Sequence, residues 1–448
     1  MKTKKLLFAS LIALMAVPAL TGCQQDDGKI HIVFWHTMGQ MGQDSLDRAL
    51  VQFYKDYPQY KVDHSSQGDY NSLHEKLNKA IPAGTMPTMA YCYPDHVADY
   101  LRSNAVVNVE TYLNDPELKF DETDGLESDF VQVYWNEGKE SYEKDGMYSV
   151  PFAKSTEVMF YNKDFFNKYS DIISVPTTWE EMWATCKTIR EEIIEKGLEE
   201  NLEFPLGYDS DSNLYITLCE QMGIPFTTNE NIKKPADHIQ FNNPQAKALI
   251  SDLAEKINKG YFATKNTLPN SAYTSTYFTE GKCAMSIGST GGTSYQTSSN
   301  FEVAVAPCPV TNKTSGNKYI LQGPDICFFK KGSDEVKKGA WILYKYITRA
   351  VYTAGFGVRS GYEPVRQSAY ELDAYKEYLE GDTLQAKVSA CTATFTGQFY
   401  LSDVFYGSAT AREQVGYLLG AVASGDKTLD GAFAEAYQKA VNACGAQK

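Results

Sequence analysis

The sequence predicts an α/β protein of two lobes, each a mostly parallel sheet flanked by helices, joined by a multi-segment hinge. Three observations predict it. The N-terminal third alternates apolar, strand-like runs with helix-like runs, the order that builds a doubly wound sheet. Pro- or Gly-marked extended segments recur at 150–156, 307–309 and 357–366, which suits three passages between two bodies. The 448 residues and 50.0 kDa suffice for two separate cores.

The first 22 residues read as a processing segment. Lys2, Lys4 and Lys5 precede the apolar run Leu6–Ala19, which is short for a membrane span. Leu20-Thr21-Gly22-Cys23 resembles the bacterial lipoprotein box, in which the cysteine is lipidated and becomes the mature N-terminus. Residues 23–29 are then a polar tether. Removing the three lysines takes the net charge from −14 to −17. Such an acidic exported chain excludes nucleic acid or anionic lipid as the main partner.

The first strand is expected at Ile30–Trp35, apolar enough to be buried on both faces. His36-Thr37 ends it, and Gly39 and Gly42 lead into a helix over Gln43–Tyr57. Tyr60–Ser65 reads as a second strand, and Tyr70–Ile81 as a helix stopped by Pro82 and Gly84. Thr88–Tyr93 reads as a third strand, followed by a polar turn at Pro94-Asp95-His96. In open α/β sheets ligands bind beyond the carboxyl ends of strands, so His36, Thr37 and Asp95 are candidate cleft residues.

After the first crossing, Val158–Tyr161 is strand-like. Thr178 caps a helix in which Trp179 and Trp183 have the spacing of core residues. Phe204–Tyr208 is a strand ending in Asp209-Ser210-Asp211-Ser212-Asn213, a cluster that can cap the next helix or offer Asp209 and Asp211 to a ligand. Cys283–Ile287 runs into Gly288-Ser289-Thr290-Gly291-Gly292-Thr293-Ser294, whose backbone N–H groups and hydroxyls make Ser289 and Thr290 further candidates. No lysine follows at nucleotide-loop spacing. The division expected is lobe 1 at 30–152 and 308–360, and lobe 2 at 153–307 and 361–448.

Eight cysteines besides Cys23 are scattered, with no C-x-x-C, and read as buried thiols. The six histidines show no zinc spacing, so no metal or other cofactor is expected. The 31 tyrosines offer flat faces with polar tips, suited to amphipathic small molecules.

Five motifs in order carry a resemblance over nearly all of the mature chain. They are Phe34-Trp35-His36-Thr37-Met38, Gly68-Asp69-Tyr70, the run from Pro151-Phe152 through Ser155-Thr156 to Tyr161-Asn162-Lys163-Asp164, Gly281-Lys282-Cys283-Ala284-Met285 and Gly361-Tyr362-Glu363-Pro364. The pattern resembles the extracellular solute-binding proteins of ABC importers, the group with the maltose- and glycerol-3-phosphate-binding proteins. The resemblance implies a type II periplasmic-binding-protein fold and a binder with no chemistry of its own. It implies permease subunits as partners and, with the lipid, a monomer held at the outer face of the cytoplasmic membrane.

The resemblance also implies ligand contacts at Tyr70, Ser155, Thr156, Ser289 or Thr290, Gly323 and Tyr362; the rings of Tyr70, Tyr93, Tyr362 and Tyr400 offer stacking faces to a sugar. Two departures set expectations. The family's glutamate after strand three falls on Pro94, with Asp95 one residue later. Its phosphate-binding arginine is missing: no cation lies between Lys387 and Arg412, and Tyr400 or Val404 stands where it is expected. A neutral sugar or oligosaccharide is therefore expected over a glycerol phosphate. The competing class is a lipid-anchored glycoside hydrolase, which would need two carboxylates in the cleft, drawn from Asp95, Asp209 and Asp211.

Overall fold

The computed structural model describes residues 27–139, 142, 144–311, 319–395 and 397–445. The signal segment and Cys23 lie outside the described residues. Among those described, the strands form two five-stranded sheets and a short two-stranded ribbon.

The first sheet has the order β2-β1-β3-β11-β4, built from β1 (Ile30–His36), β2 (Tyr60–Ser66), β3 (Met89–Cys92), β4 (Val150–Pro151) and β11 (Asp325–Phe328). The second has the order β7-β6-β8-β5-β9, from β5 (Glu157–Asn162), β6 (Phe204–Tyr208), β7 (Phe262–Thr264), β8 (Cys283–Ser289) and β9 (Val303–Pro307). The ribbon pairs β10 (Tyr319–Ile320) with β12 (Phe399–Tyr400) in parallel. In each large sheet one strand runs against the other four: β11 in the first, β5 in the second. Each sheet carries its own hydrophobic core. One is gathered around Phe34, Phe53 and Trp341, the other around Phe160, Leu206 and Phe433. This is the two-lobed architecture the sequence predicts.

Local differences have local causes. β1 is not uniformly buried: Ile32, Phe34 and His36 face the core, while the residues between them are half-buried. Pro82 does not stop its helix but sits in the last turn of Tyr70–Ala83, before the left-handed Gly84. Pro94 opens a helix, Pro94–Leu101, rather than a turn, because a proline at the first helical position gives up an N–H that has no helical partner. Residues 357–360, expected as irregular, end the helix Ala350–Ser360. Trp179 and Trp183 stack at 5.6 Å, as core residues.

Three segments cross between the cores side by side. Ser155 and Gln322 exchange backbone hydrogen bonds of 2.9 and 2.8 Å, and the Lys154 N–H donates to Glu363 at 3.2 Å. Cys308, Tyr319 and Ile320 pack in the second core, so the second passage is at 321–324 rather than at 307–309. Gly323 is required here: φ is +96°, and a Cβ would lie 2.2 Å from the Ala153 carbonyl oxygen. Under the seam, Lys154 is fully buried between Glu137 and Asp325, with Asp325 at 2.6 Å. Burial alone would lower the lysine pKa, but the two carboxylates raise it, so the charge persists.

Candidate interlobe ligand site

The strand ends of both sheets meet across a cleft beside this seam. A cavity of about 60 Å³ is lined by Tyr93, Asp95 and Glu137 from the first lobe, Gln322 from the seam, and Ser402, Asp403 and Arg412 from the second. β3 delivers Tyr93 and Asp95 at its carboxyl end. Asp69 caps the helix that follows β2 by accepting the Ser72 N–H at 2.8 Å, which fixes Tyr70 as the first helical residue.

Tyr70 and Tyr93 pack with ring centroids 4.4 Å apart, and Thr37 and Tyr362 stand at the Tyr70 hydroxyl. Tyr362 lies against the Gly291 backbone so closely that a Cβ there would fall 2.5 Å from its ring. The Tyr91 hydroxyl is buried with no hydrogen-bond partner, as are Gln296 Oε1 and Ser402 Oγ. Burial pushes the Tyr70, Tyr91 and Tyr362 phenols well above their usual pKa, so they remain neutral donors. Buried polar groups without partners are costly, and a bound ligand is one way to satisfy them.

Other predicted residues are committed elsewhere. His36 is fully buried, and both ring nitrogens are used inside lobe 1: Nδ1 accepts the Met38 N–H at 3.1 Å, and Nε2 donates to His64 Nδ1 at 3.0 Å. Burial holds its pKa down to about 4. The wall role expected of His36 therefore has no free atom behind it. Thr156 donates to the Ile320 carbonyl at 2.8 Å, and Thr290 Oγ1 accepts the Thr156 N–H at 3.3 Å, so both tie strands together. Ser289 caps the turn Thr290–Gln296 by accepting the Gly291 N–H.

Asp211 sits in the first turn of the helix Asp211–Met222 and accepts from Thr264 Oγ1 (2.5 Å) and the Asn266 N–H (3.3 Å). Burial raises its pKa to about 6. Ser210, not an aspartate, caps that helix. Asp209 accepts from Thr274 at 2.7 Å and, at its other oxygen, from Gln296 Nε2 at 3.4 Å. Ser155 is buried in the seam, and Gly323 serves the packing of the crossings.

The position expected for the family's arginine holds no cation, but another arginine reaches the cleft. Arg412, on the helix Ser408–Ala423, lines the cavity and donates to Asn213 Oδ1. Its charge opposes the rise that burial imposes on the Asp95 carboxyl. Behind it, Glu157 accepts from Tyr208 (2.5 Å) and Asn213 (2.7 Å), and burial lifts its pKa to about 7. Sequence reasoning also missed Tyr91, Glu137, Gln296 and Ser402.

The family model described as bacterial extracellular solute-binding protein matches residues 48–381. The chain belongs to this family. These solute-binding proteins are exported and bind their solutes rather than transform them. The chain is 25% identical over 358 residues to the sn-glycerol-3-phosphate-binding periplasmic protein UgpB of Escherichia coli K12, spanning 78% of this chain and 77% of that one. The Salmonella typhimurium UgpB is 26% identical over the same span. Among solved structures, UgpB from Mycobacterium tuberculosis in complex with glycerophosphocholine superposes with a TM-score of 0.72 at 20% identity, covering 93% of this chain and 98% of that one. MalE from Bdellovibrio bacteriovorus bound to maltotriose gives 0.71 at 17% identity, covering 92% and 98%. These likenesses establish the two-lobed fold.

Proposed function

We propose that this protein encloses a small, hydroxyl-rich solute, a sugar or short oligosaccharide, between its lobes and delivers it to the permease of an ABC importer. The observation that carries this reading is the cavity between the lobes, whose wall sets Tyr93, Asp95, Asp403 and Arg412 around the buried Ser402 hydroxyl, an atom with no hydrogen-bond partner. Beside it Asp95, Glu137 and Asp403 can accept ligand hydroxyls, and the Tyr93 ring can lie against a sugar face. With three carboxylates and one guanidinium on its wall, the cavity favours a neutral polyol over a dianion. Of the contacts expected from the sequence, Tyr70, Tyr93, Asp95 and Tyr362 are retained in this proposal, and Ser402 and Arg412 join them.

Arg412 favours a second reading. A guanidinium in a buried cleft is the usual partner for a phosphate, so a glycerol phosphate or its diester is the alternative ligand. The relatives named for glycerol 3-phosphate support it. Calorimetric titration with maltose, maltotriose, sn-glycerol 3-phosphate and glycerophosphocholine separates the two. Saturable sugar binding that survives Arg412→Gln supports the first reading. Binding of a phosphate ester alone, abolished by that substitution and weakened by salt, replaces it with the second.

The lipoprotein box supports a lipid on Cys23 that holds the mature monomer at the outer face of the cytoplasmic membrane. Cys23→Ser should release the protein from the membrane fraction and stop incorporation of labelled fatty acid.

A further inference from the structure

We infer that Asp99, Arg102 and Tyr406 form an interlobe clasp that sets how tightly the closed cleft holds its ligand, although none of the three lines the cavity. The inference rests on the two-lobe capture proposed above. Asp99 Oδ1 accepts the Gly407 N–H across the cleft mouth at 3.3 Å. The Arg102 guanidinium lies 3.3 Å from the centroid of the Tyr406 ring. Asp99 and Arg102 belong to the first lobe, packed beside Val97 and Tyr100; Tyr406 and Gly407 follow Phe405 in the second.

The same elements reach the ligand cavity. The helix Pro94–Leu101 places Asp95 on the cavity wall and, one turn later, sets Asp99 against the opposite lobe. The loop ending at Tyr406-Gly407 carries Ser402 and Asp403 to the cavity, and the helix it opens carries Arg412. Locking Gly407 to Asp99 and Tyr406 to Arg102 therefore registers Asp95 against Arg412.

Both halves of the clasp are pre-set. His74 holds the second Asp99 oxygen at 3.0 Å and stacks on His96 at 4.3 Å with a 7° interplanar angle, so the carboxylate is aimed before the lobes meet. Gly407 precedes the first turn of Ser408–Ala423, where the helix dipole favours a carboxylate. It is also fixed from behind: a Cβ on it would lie 2.8 Å from the Cys444 nitrogen. A contact made only in the closed form raises the closed population, and apparent affinity scales with that population.

The test uses the mature chain labelled at Lys55→Cys on one lobe and Glu255→Cys on the other, with lobe separation read by single-molecule energy transfer. Maltotriose, sn-glycerol 3-phosphate and glycerophosphocholine serve as probes. Arg102→Ala, Tyr406→Ala and Asp99→Asn should each widen the mean separation. Each should also weaken a closing probe by about two- to fivefold, chiefly through faster release. Tyr406→Phe keeps the ring and should behave as wild type, which guards against loss of folding as the cause. Unchanged separation and affinity in Arg102→Ala and Asp99→Asn, or opening by Tyr406→Phe as large as by Tyr406→Ala, overturns the clasp. Wider variants together with a wild type that none of the probes closes supports the clasp and counts against the capture reading instead.

Discussion

The two lobes share one strand order and meet the cleft with opposite chemistry. With the reversed strand left out of the count, both sheets run second, first, third, reversed strand, fourth. Lobe 1 brings tyrosines, Tyr70 packed on Tyr93, whose hydroxyls are bonded at most to other cleft hydroxyls. Lobe 2 brings carboxylates and threonines that are already bonded to their own lobe: Asp211 to Thr264, Glu157 to Tyr208 and Asn213, Thr290 to Thr156. The strand ends of lobe 2 thus act as a frame, and its recognition groups, Ser402, Asp403 and Arg412, come instead from the loop and helix after β12. Polar residues at strand ends are not equivalent; what separates them is whether their hydrogen bonds are already made.

The largest expected effect lies where the lobes join. Lys154→Met leaves Asp325 buried without its cation and should cost about 3–5 kcal/mol in urea unfolding, destabilising both lobes together. A loss confined to one lobe would show that the seam is not shared.

The next tests address the frame. Asp211→Ala strips the acceptor from the Thr264 hydroxyl and the Asn266 N–H and should lower stability by about 2 kcal/mol, with ligand affinity within about twofold of wild type. A large affinity loss at wild-type stability would move Asp211 into the recognition surface.

Protonation gives a third handle. Burial lifts the Glu157 pKa from 4.5 to about 7, so the folded chain holds this proton more tightly than the unfolded one. Its contribution to stability is therefore complete at low pH and is lost as pH rises from about 4.5 through about 7. Urea midpoints measured from pH 5 to 8 should fall less in Glu157→Gln than in wild type; equal slopes would assign that pH dependence elsewhere.

The smallest stability effect belongs to the recognition side. Tyr70→Phe removes a hydroxyl approached only by Thr37 and neighbouring phenols, so the unfolding free energy should stay within about 0.5 kcal/mol of wild type while ligand affinity falls about tenfold. A destabilised Tyr70→Phe protein would place that hydroxyl in the frame after all.

Much of the fold was legible because its signals are local. The strand–turn–helix units starting at Ile30, Tyr60 and Met89 are marked by apolar runs and by Gly, Pro and Asp at their ends. The chain matched by the family model includes the motifs at Gly68-Asp69-Tyr70 and Gly361-Tyr362-Glu363-Pro364. The site was legible only where a residue type has one use. Tyrosines stayed available, but hydroxyls and carboxylates after strands were as useful for capping, and the Ser289–Thr290 loop and Asp211 went that way.

Arg412 was hidden for a different reason. Counting along the chain pointed to Tyr400 or Val404, whereas the helix Ser408–Ala423 carries its guanidinium back to Asn213. The signal was present as the first cation after Lys387. Tyr91 was legible as strand core, yet no pattern announces a hydroxyl without a partner. Gln296 closes the turn after Ser289, where a lone amide in a run of small residues was the available cue.

The reversed strands have a consequence for how the chain is made. Lobe 2 draws β5 to β9 from 157–307, so its whole sheet has been synthesised before β11 exists. Lobe 1 lacks its fourth strand, and the edge to which β4 pairs, until Asp325–Phe328 emerges. The lobe that begins the polypeptide is therefore the one whose sheet is completed last. Its β3 edge stays open until a segment more than two hundred residues further along the chain reaches it.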